Sequence, residues 1–594
     1  MSLILSHPGR VAKDIPNRMF KPPHWEWLSR GGVGWWVHPS WRESLVGPDG
    51  LRLAEWERQG RLTIVKTGPH RTVYRVDLPR GVVYIKHFRV PDFRAKIRQW
   101  FRRGKGRNEG KRAARLAEHD IRTIVPVALG ELRRRGCLHE NFLVTLAIEG
   151  MTPLDHFVSE VLPELPARDQ DRLRHGLADE LGQFTARLHD AGFLHLDFHP
   201  GNVLVGLDSK GSPRLAMIDL DALRERKSIN SRATEANLAL LNHYFWQSSS
   251  RGDRLRFLRA YAANRRGVRL DLRDSSRRIE KLTRSWAERL WTRWGRRCLG
   301  TNKYFRKRQG SGSWSIASRD VNRDVVRNLM ADPDAPFQWP QTRILKSSRT
   351  SLVAEITLPV GIPPQETKVI YKRFHVRSWY EPWLCLVRPS RGWRAWRGAQ
   401  HLASRALPTP RNLAYLCQTR RPLGPLSAAL PYQSYLVTVK EDPSITMADY
   451  LNEILPSLDP ASRRAGIRRM LRAIARLMRV LHDRSISHRD LKAANILILG
   501  DPEAEHPALS VIDLVGVVHQ HPISTGRRVQ NLTRVLLSLL NTPGVTRTDM
   551  LRFLFDYLPN TARHDRTWKP LWRAIGRAAR GKVRRNHRRG RVLT

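Results

Sequence analysis

The sequence predicts an α+β protein built from two tandem copies of one unit. Three observations carry this. The chain has 594 residues, several times the roughly 100–200 that one domain usually takes. An ordered set of short matches recurs at an offset of about 290 residues, the signature of duplication. In each copy alternating, strand-like stretches come first and helical patterns follow. With 41% hydrophobic residues the chain can bury real cores, which excludes wholesale disorder.

The matches define the elements in order. Lys66-Thr-Gly-Pro-His-Arg-Thr-Val-Tyr-Arg-Val-Asp-Leu-Pro79 answers Lys346-Ser-Ser-Arg-Thr-Ser-Leu-Val-Ala-Glu-Ile-Thr-Leu-Pro359, each 14 residues from Lys to Pro and each alternating like a half-buried strand. A second strand follows, Tyr84-Ile-Lys-His-Phe88 in one copy and Ile370-Tyr-Lys-Arg-Phe374 in the other. Ile121-Arg-Thr123 answers Leu407-Pro-Thr409 beyond a helical stretch, read in the first copy as Glu109–Asp120. A polar loop comes next, His195-Leu-Asp-Phe-His-Pro-Gly-Asn202 and His488-Arg-Asp-Leu-Lys-Ala-Ala-Asn495, then an apolar run ending in Ile218-Asp-Leu220 and Ile512-Asp-Leu514. Asn237-Leu with Phe257-Leu-Arg-Ala-Tyr261 closes the first copy, and Asn531-Leu with Phe553-Leu-Phe-Asp-Tyr557 the second. These landmarks divide the chain into a Trp-rich N-terminal extension (1–60), a first domain (61–300), a Gly/Ser/Asn/Asp/Pro-bearing linker (301–340), a second domain (341–575) and a basic tail (576–594). The six Trp of the extension (Trp25, Trp27, Trp35, Trp36, Trp41, Trp56) are expected to pack in a core.

The landmarks also carry chemistry. A lone strand Lys or a lone His-x-Asp is common by chance. The set is much rarer: a strand Lys, an Asp 110–120 residues later, an Asn five residues after that, and an Asp in an apolar run 22–23 residues after the first Asp. Phosphoryl transfer from ATP needs these groups. The Lys holds the α/β-phosphates, the loop Asp orients the acceptor hydroxyl and takes its proton, and the Asn and later Asp hold Mg²⁺ against the charge building on phosphoryl oxygens.

The motifs resemble those of the protein-kinase-like superfamily and, within it, the lipopolysaccharide kinases of the Kdo/WaaP type. The narrower resemblance rests on Tyr84-Ile-Lys-His-Phe-Arg89, on Gly130 after the apolar run Val125–Leu129, and on the Asn-Leu…Phe-Leu-x-x-Tyr ending. It covers roughly 60–270 and 340–560. It implies two bilobal domains, each with an antiparallel-sheet N-lobe and a mainly helical C-lobe, and phosphorylation of Kdo or heptose in the lipopolysaccharide core. The family is usually single-domain, so the tandem arrangement departs from it. For the first copy the resemblance assigns Lys86 to the phosphates with Glu109 as its helix partner, Asp197 as catalytic base, and Asn202 and Asp219 to Mg²⁺. Gly68 is the one glycine in its nucleotide loop, where protein kinases have three. The loop around Asp197 lacks the Arg that in protein kinases meets an activation-loop phosphate, which points to a small-molecule or glycolipid acceptor.

For the second copy, Lys372, Asp490, Asn495 and Asp513 take the same roles, and Lys492 is placed to steady the γ-phosphate. Its nucleotide loop has no Gly, and Ala395 stands where the first copy has Glu109. A degenerate, regulatory copy and a working one therefore stay in competition.

The charge is extreme: 105 Lys+Arg (86 of them Arg) against 54 Asp+Glu, net +51. Codon bias and an anionic partner both account for it. Two segments concentrate basic and aromatic residues, Phe93–Arg107 and Trp379–Arg388, the composition of interfacial segments as well as of solvated loops over a packed lobe. Four scattered Cys and no CxxC argue against disulfides or zinc. No apolar run approaches the ~20 residues of a membrane span, so a cytoplasmic protein is expected, at most peripheral on the inner face of the cytoplasmic membrane. Three functions compete: an ATP- and Mg²⁺-dependent glycolipid-sugar kinase at an anionic membrane surface, a Ser/Thr protein kinase or kinase/pseudokinase pair, and a catalytically dead basic scaffold. Nucleic acid is the weaker partner, because no nucleic-acid-binding motif accompanies the charge.

Overall fold

The computed structural model describes residues 24–68, 70–90, 104–134, 137–246, 248–376, 378–420, 430–540, 542–559 and 566–588. The chain forms two compact units, Met1–Glu288 and Arg289–Thr594, and the division falls within the helix Leu272–Gly295.

Each unit begins with a seven-stranded antiparallel sheet. In the first the spatial order is Glu26–Arg30, Val33–Val37, Val125–Arg134, Cys137–Leu146, Gly81–Arg89, Arg71–Leu78, Leu62–Thr67. In the second it is Phe305–Gly310, Ser313–Ser318, Asn412–Arg420, Leu430–Val439, Gln365–Phe374, Ser351–Val360, Arg343–Ser348. Strand Gly81–Arg89 shows why the sheet forms: Val83 and Ile85 turn into the core while Tyr84 and Lys86 take the other face. A long helix lies against each sheet on the side of the helical lobe, Lys105–Ala117 in the first unit and Arg391–Ala403 in the second.

The helical lobes follow. Their longest helices, Ala167–Asp190 and Pro460–Asp483, bury one stripe each, Leu173/Leu177/Leu181/Phe184/Leu188 and Ile467/Met470/Leu471/Ile474/Met478/Leu481, and leave the opposite face to Arg and acids in the first and to Arg in the second. Short sheets carry the strands Val203–Leu207 and Pro213–Met217 in the first lobe and Ile496–Leu499 and Ala508–Val511 in the second.

Four sequence expectations need correction. The segment 301–340 is not linker: it supplies the strands Phe305–Gly310 and Ser313–Ser318 and the helix Arg323–Ala331, whose Val326 and Leu329 enter the core beside Tyr371 and Tyr435. The N-terminal extension likewise supplies the first unit's outer strands, so the duplication reaches further than the matches showed. The physical reason is a volume exchange. In the first unit Trp35 pairs with Gly130, and a Cβ on Gly130 would lie 2.5 Å from the Trp35 ring. At the matching register of the second unit Ser315 pairs with Leu416. Large and small residues have traded strands, which preserves packing and erases the sequence match. Trp25, Trp35, Trp41 and Trp56 are buried; Trp27 is exposed. Lastly, residues 576–587 of the basic tail continue the helix Trp568–His587, anchored by the buried Ile575. The helix read as Glu109–Asp120 runs Lys105–Ala117.

Candidate active site

In the first unit the pieces meet where sheet and helical lobe face each other. Lys86 projects from its strand and donates to the carboxylate of Glu109, which is fully buried on Lys105–Ala117. Glu109 also accepts from the Leu220 amide at 3.2 Å, so it ties the Lys to the segment of the metal-type Asp. Asp219 stands 3.9 Å from the Lys86 ammonium and 3.3 Å from the Arg71 guanidinium. Burial pushes its carboxyl up, but Lys86 and Arg71 outweigh that and hold it below its ordinary value, so it is an anion facing cations. Its backbone is left-handed, φ 54°, a conformation a non-glycine residue keeps only where the surroundings impose it.

The loop His195–Asn202 is braced from several sides. Asn202 donates from Nδ2 to the Asp197 carbonyl at 2.9 Å and its carbonyl accepts from the Ile218 amide at 2.9 Å, which sets it beside Asp219. Its amide donor is thus used inside the loop, and its oxygen is the atom left to offer a cation. Asp197 points outward, its side chain 70% exposed. Thr123 bonds the Met217 carbonyl at 2.8 Å and Thr409 the Val511 carbonyl at 2.9 Å, which explains why that Thr recurs in both copies.

Sequence reasoning missed the loop's deepest support. His189 contacts the Tyr261 hydroxyl through Nδ1 (2.8 Å) and the Asn237 oxygen through Nε2 (3.1 Å), and Asn237 donates to the His195 carbonyl at 2.7 Å. Because the Asn237 oxygen can only accept, Nε2 carries the proton and Nδ1 accepts from Tyr261. Burial pushes His189 down to about 4, which keeps it neutral. His482 repeats this with Tyr557 (2.8 Å) and Asn531 (3.1 Å), also at about 4 by burial. The signal was present: a His-Asp pair stands six residues before the loop His in both copies. Arg71 was missed too, since the strand pattern does not show that it reaches Asp219.

The second unit holds Lys372, Asp490, Asn495 and Asp513 in the same frame. Asn495 donates to the Asp490 carbonyl at 2.8 Å, and Asp513 has φ 55°. Ala395 occupies the place of Glu109, so Lys372 turns to Asp513 and donates at 2.9 Å. Burial raises the Asp513 carboxyl, but Lys372, His488 and Arg391 bring it below its ordinary value. Asp490 is paired with Arg534 at 2.8 Å, and Lys492 lies two residues on. The Gly68 amide is already bonded to the Arg71 carbonyl (2.9 Å), so it is not open to a phosphate as it stands. Residues 93–103 of the first basic–aromatic insert lie outside the described residues; Trp379, Leu386 and Val387 of the second are 83%, 63% and 91% exposed.

A sheet lobe with a phosphate-type Lys, joined to a helical lobe with an Asp–Asn loop and a strained Asp, defines a protein-kinase-like fold, here present twice. The model of the lipopolysaccharide kinase (Kdo/WaaP) family matches residues 85–261 and 383–557, more than half of the chain, and the chain belongs to that family. The second match begins beyond Lys372. Among solved structures, WaaP in complex with acyl carrier protein is 24% identical over 40% of this chain and 90% of that one, TM-score 0.28. The Toxoplasma gondii specific rhoptry antigen kinase domain is 15% identical over 38% and 82%, TM-score 0.23. No curated protein matched.

Proposed function

We propose that the protein is an ATP-dependent phosphotransferase acting on a sugar hydroxyl, Kdo or heptose, of a lipopolysaccharide-core-like glycolipid, with the first unit as its main catalyst. The observation that carries this is the joined set Lys86–Glu109–Asp219 beside the Asp197–Asn202 loop. Lys86, oriented by Glu109, holds the α/β-phosphates of ATP. Asp197 receives the acceptor's hydroxyl proton as the acceptor oxygen bonds to the γ-phosphorus; the bond from that phosphorus to the β,γ-bridging oxygen breaks, and ADP leaves. Asn202 and Asp219 fit Mg²⁺: both offer hard oxygens, and a two-donor set suits an ion that keeps waters and phosphate oxygens as its other ligands. Bound there, Mg²⁺ supplies neutralisation of charge on the phosphoryl oxygens.

The acceptor's membrane is read from the exposed Trp379, Leu386 and Val387 beside Arg388, where rings meet the interface and cations meet anionic headgroups. No helix among the described residues is long and apolar enough to cross a membrane.

Label transfer from [γ-³²P]ATP to a Kdo- or heptose-bearing lipid is the expected result with the full chain and Mg²⁺. No transfer to any core-sugar acceptor overturns the reading. His488-Arg-Asp-Leu-Lys492 favours a second one, a protein kinase, supported by transfer to Ser/Thr peptides that Asp490→Ala abolishes. A wild type without a Mg·ATP-dependent thermal shift is a dead scaffold instead. Flotation with phosphatidylglycerol vesicles, lost in Trp379→Ala/Val387→Ala, tests the membrane contact.

A further inference from the structure

The loop Asp of the second unit sits in a nest of cations. Arg534, on the helix Thr525–Leu539, holds the Asp490 carboxylate at 2.8 Å. One turn on, Ser538 accepts from the Ala493 amide at 3.2 Å, so this helix face lies against the catalytic loop. The C-terminal helix Trp568–His587 packs on Thr525–Leu539 and brings up Lys582 and Arg585. Burial and repulsion from Arg534 push the Lys582 ammonium down to about 8; Asp490 opposes this, and Arg585 and Lys492 add to the repulsion. Asp490 thus faces Arg534 and the Lys582 ammonium, and Lys492 and Arg585 add their charge close to Lys582.

The first unit differs at each matching place. Aligned on Asn237/Asn531 and Asp197/Asp490, Arg534 corresponds to Leu240, Ser538 to Tyr244, Lys492 to His199 and Arg489 to Leu196. There Asp197 neighbours His199 at 3.7 Å, and the Tyr244 ring lies 5.3 Å from the His199 ring. One mouth sets aromatic and apolar side chains beside its Asp, the other a surplus of positive charge. A phosphomonoester carries about −1.5 to −2 charges at pH 7 and three strong acceptor oxygens, which suits an Arg fork with two ammonium groups better than one carboxylate does.

We propose that Arg534, Lys582 and Lys492 form an anion subsite of the second unit's acceptor site, which binds a phosphomonoester already on the sugar and so draws Arg534 off Asp490. The inference rests on the kinase reading of that unit. Asp490 is then released to receive the hydroxyl proton only when a phosphorylated acceptor is seated. An earlier phosphoryl transfer to the same class of sugar must supply that acceptor, a step that suits the first unit, whose mouth has no Arg or Lys at the matching places.

The test uses the full chain saturated with AMP-PNP and Mg²⁺, so that the nucleotide's own phosphate sites are filled, titrated calorimetrically with glucose 6-phosphate and with glucose. The phosphate is expected to bind and glucose not to. Arg534→Leu, which copies the first unit, and Lys582→Ala, on the C-terminal helix, are each expected to weaken binding tenfold or more. Their AMP-PNP affinity and unfolding temperature report that the chain is folded. Equal binding of both sugars, loss of binding once AMP-PNP is present, or indifference to both substitutions overturns the proposal. The measurement needs no turnover, so a chain that transfers phosphate to no acceptor but passes it loses the kinase reading and keeps the anion subsite.

Discussion

The two candidate centres share a frame and differ in what holds the lysine. In the first unit Lys86 lies between a buried Glu109 and Asp219, and Arg71 takes a share of Asp219. In the second, Ala395 offers no carboxylate and Lys372 spends its charge on Asp513 at 2.9 Å. The loop motifs are alike, yet one centre has an oriented lysine and the other a lysine that neutralises the metal-type Asp. Matching motifs therefore do not guarantee matching electrostatics: one buried side chain on the packed helix redistributes the charge.

The largest break in the comparison is expected from the loop bases. Asp197→Ala should lower turnover roughly 10³-fold, the scale of a lost general base, whereas Asp490→Ala should cost much less; steady-state rates on one glycolipid acceptor check this, and loss from Asp490→Ala alone reverses the ranking. Acid should then strike both units alike. His189 and His482 stand at about 4 in the fold against an ordinary 6.5. Both are neutral in the fold, so the unfolded chain binds more protons between those values. Stability is present above pH 6.5 and is lost as pH falls toward 4, by up to about 3 kcal/mol for each His. Urea unfolding at pH 7 and pH 4.5 measures it, and His189→Asn should flatten the first unit's share.

Next come the helix partners. Glu109→Ala should weaken ATP binding and turnover about 10- to 100-fold, because it leaves Lys86 half-buried without its main counter-ion. Ala395→Glu should move the second unit the other way and tighten nucleotide several-fold; steady-state rates and calorimetric titration with AMP-PNP read Glu109→Ala in the otherwise unaltered chain, and the same titration on a Lys86→Ala background reads Ala395→Glu. The smallest change tests the exchanged packing. Gly130→Ala places a methyl against Trp35 and should cost about 1–3 kcal/mol, while Leu416→Ile, which keeps its volume opposite Ser315, should cost about 1 kcal/mol or less. Denaturant midpoints separate the two.

Much of the site was legible because it is local. Asp197 and Asn202 stand five residues apart on one loop, and the same spacing recurs at Asp490 and Asn495. The Lys86–Glu109 pair was legible by spacing within a resemblance, and the structure joins the two. The outer strands of both sheets were not legible, since Trp35/Gly130 and Ser315/Leu416 put the large residue of the pair on opposite strands. The ion pair Arg71–Asp219 spans 148 residues and Lys86–Asp219 a similar distance; periodicity within one element cannot reveal which elements meet.

By itself the sequence determined the duplication and the α+β order of each copy, and it singled out the groups we propose to bind nucleotide, hold a cation and take a proton, because these depend on local spacing and residue chemistry. Tertiary structure alone decided that 305–318 completes the second sheet, that residues 576–587 extend a helix beside Asp490, and which cation each carboxylate meets. Those depend on distances across the fold, where packing volume and burial choose the neighbours and the neighbours set the charge.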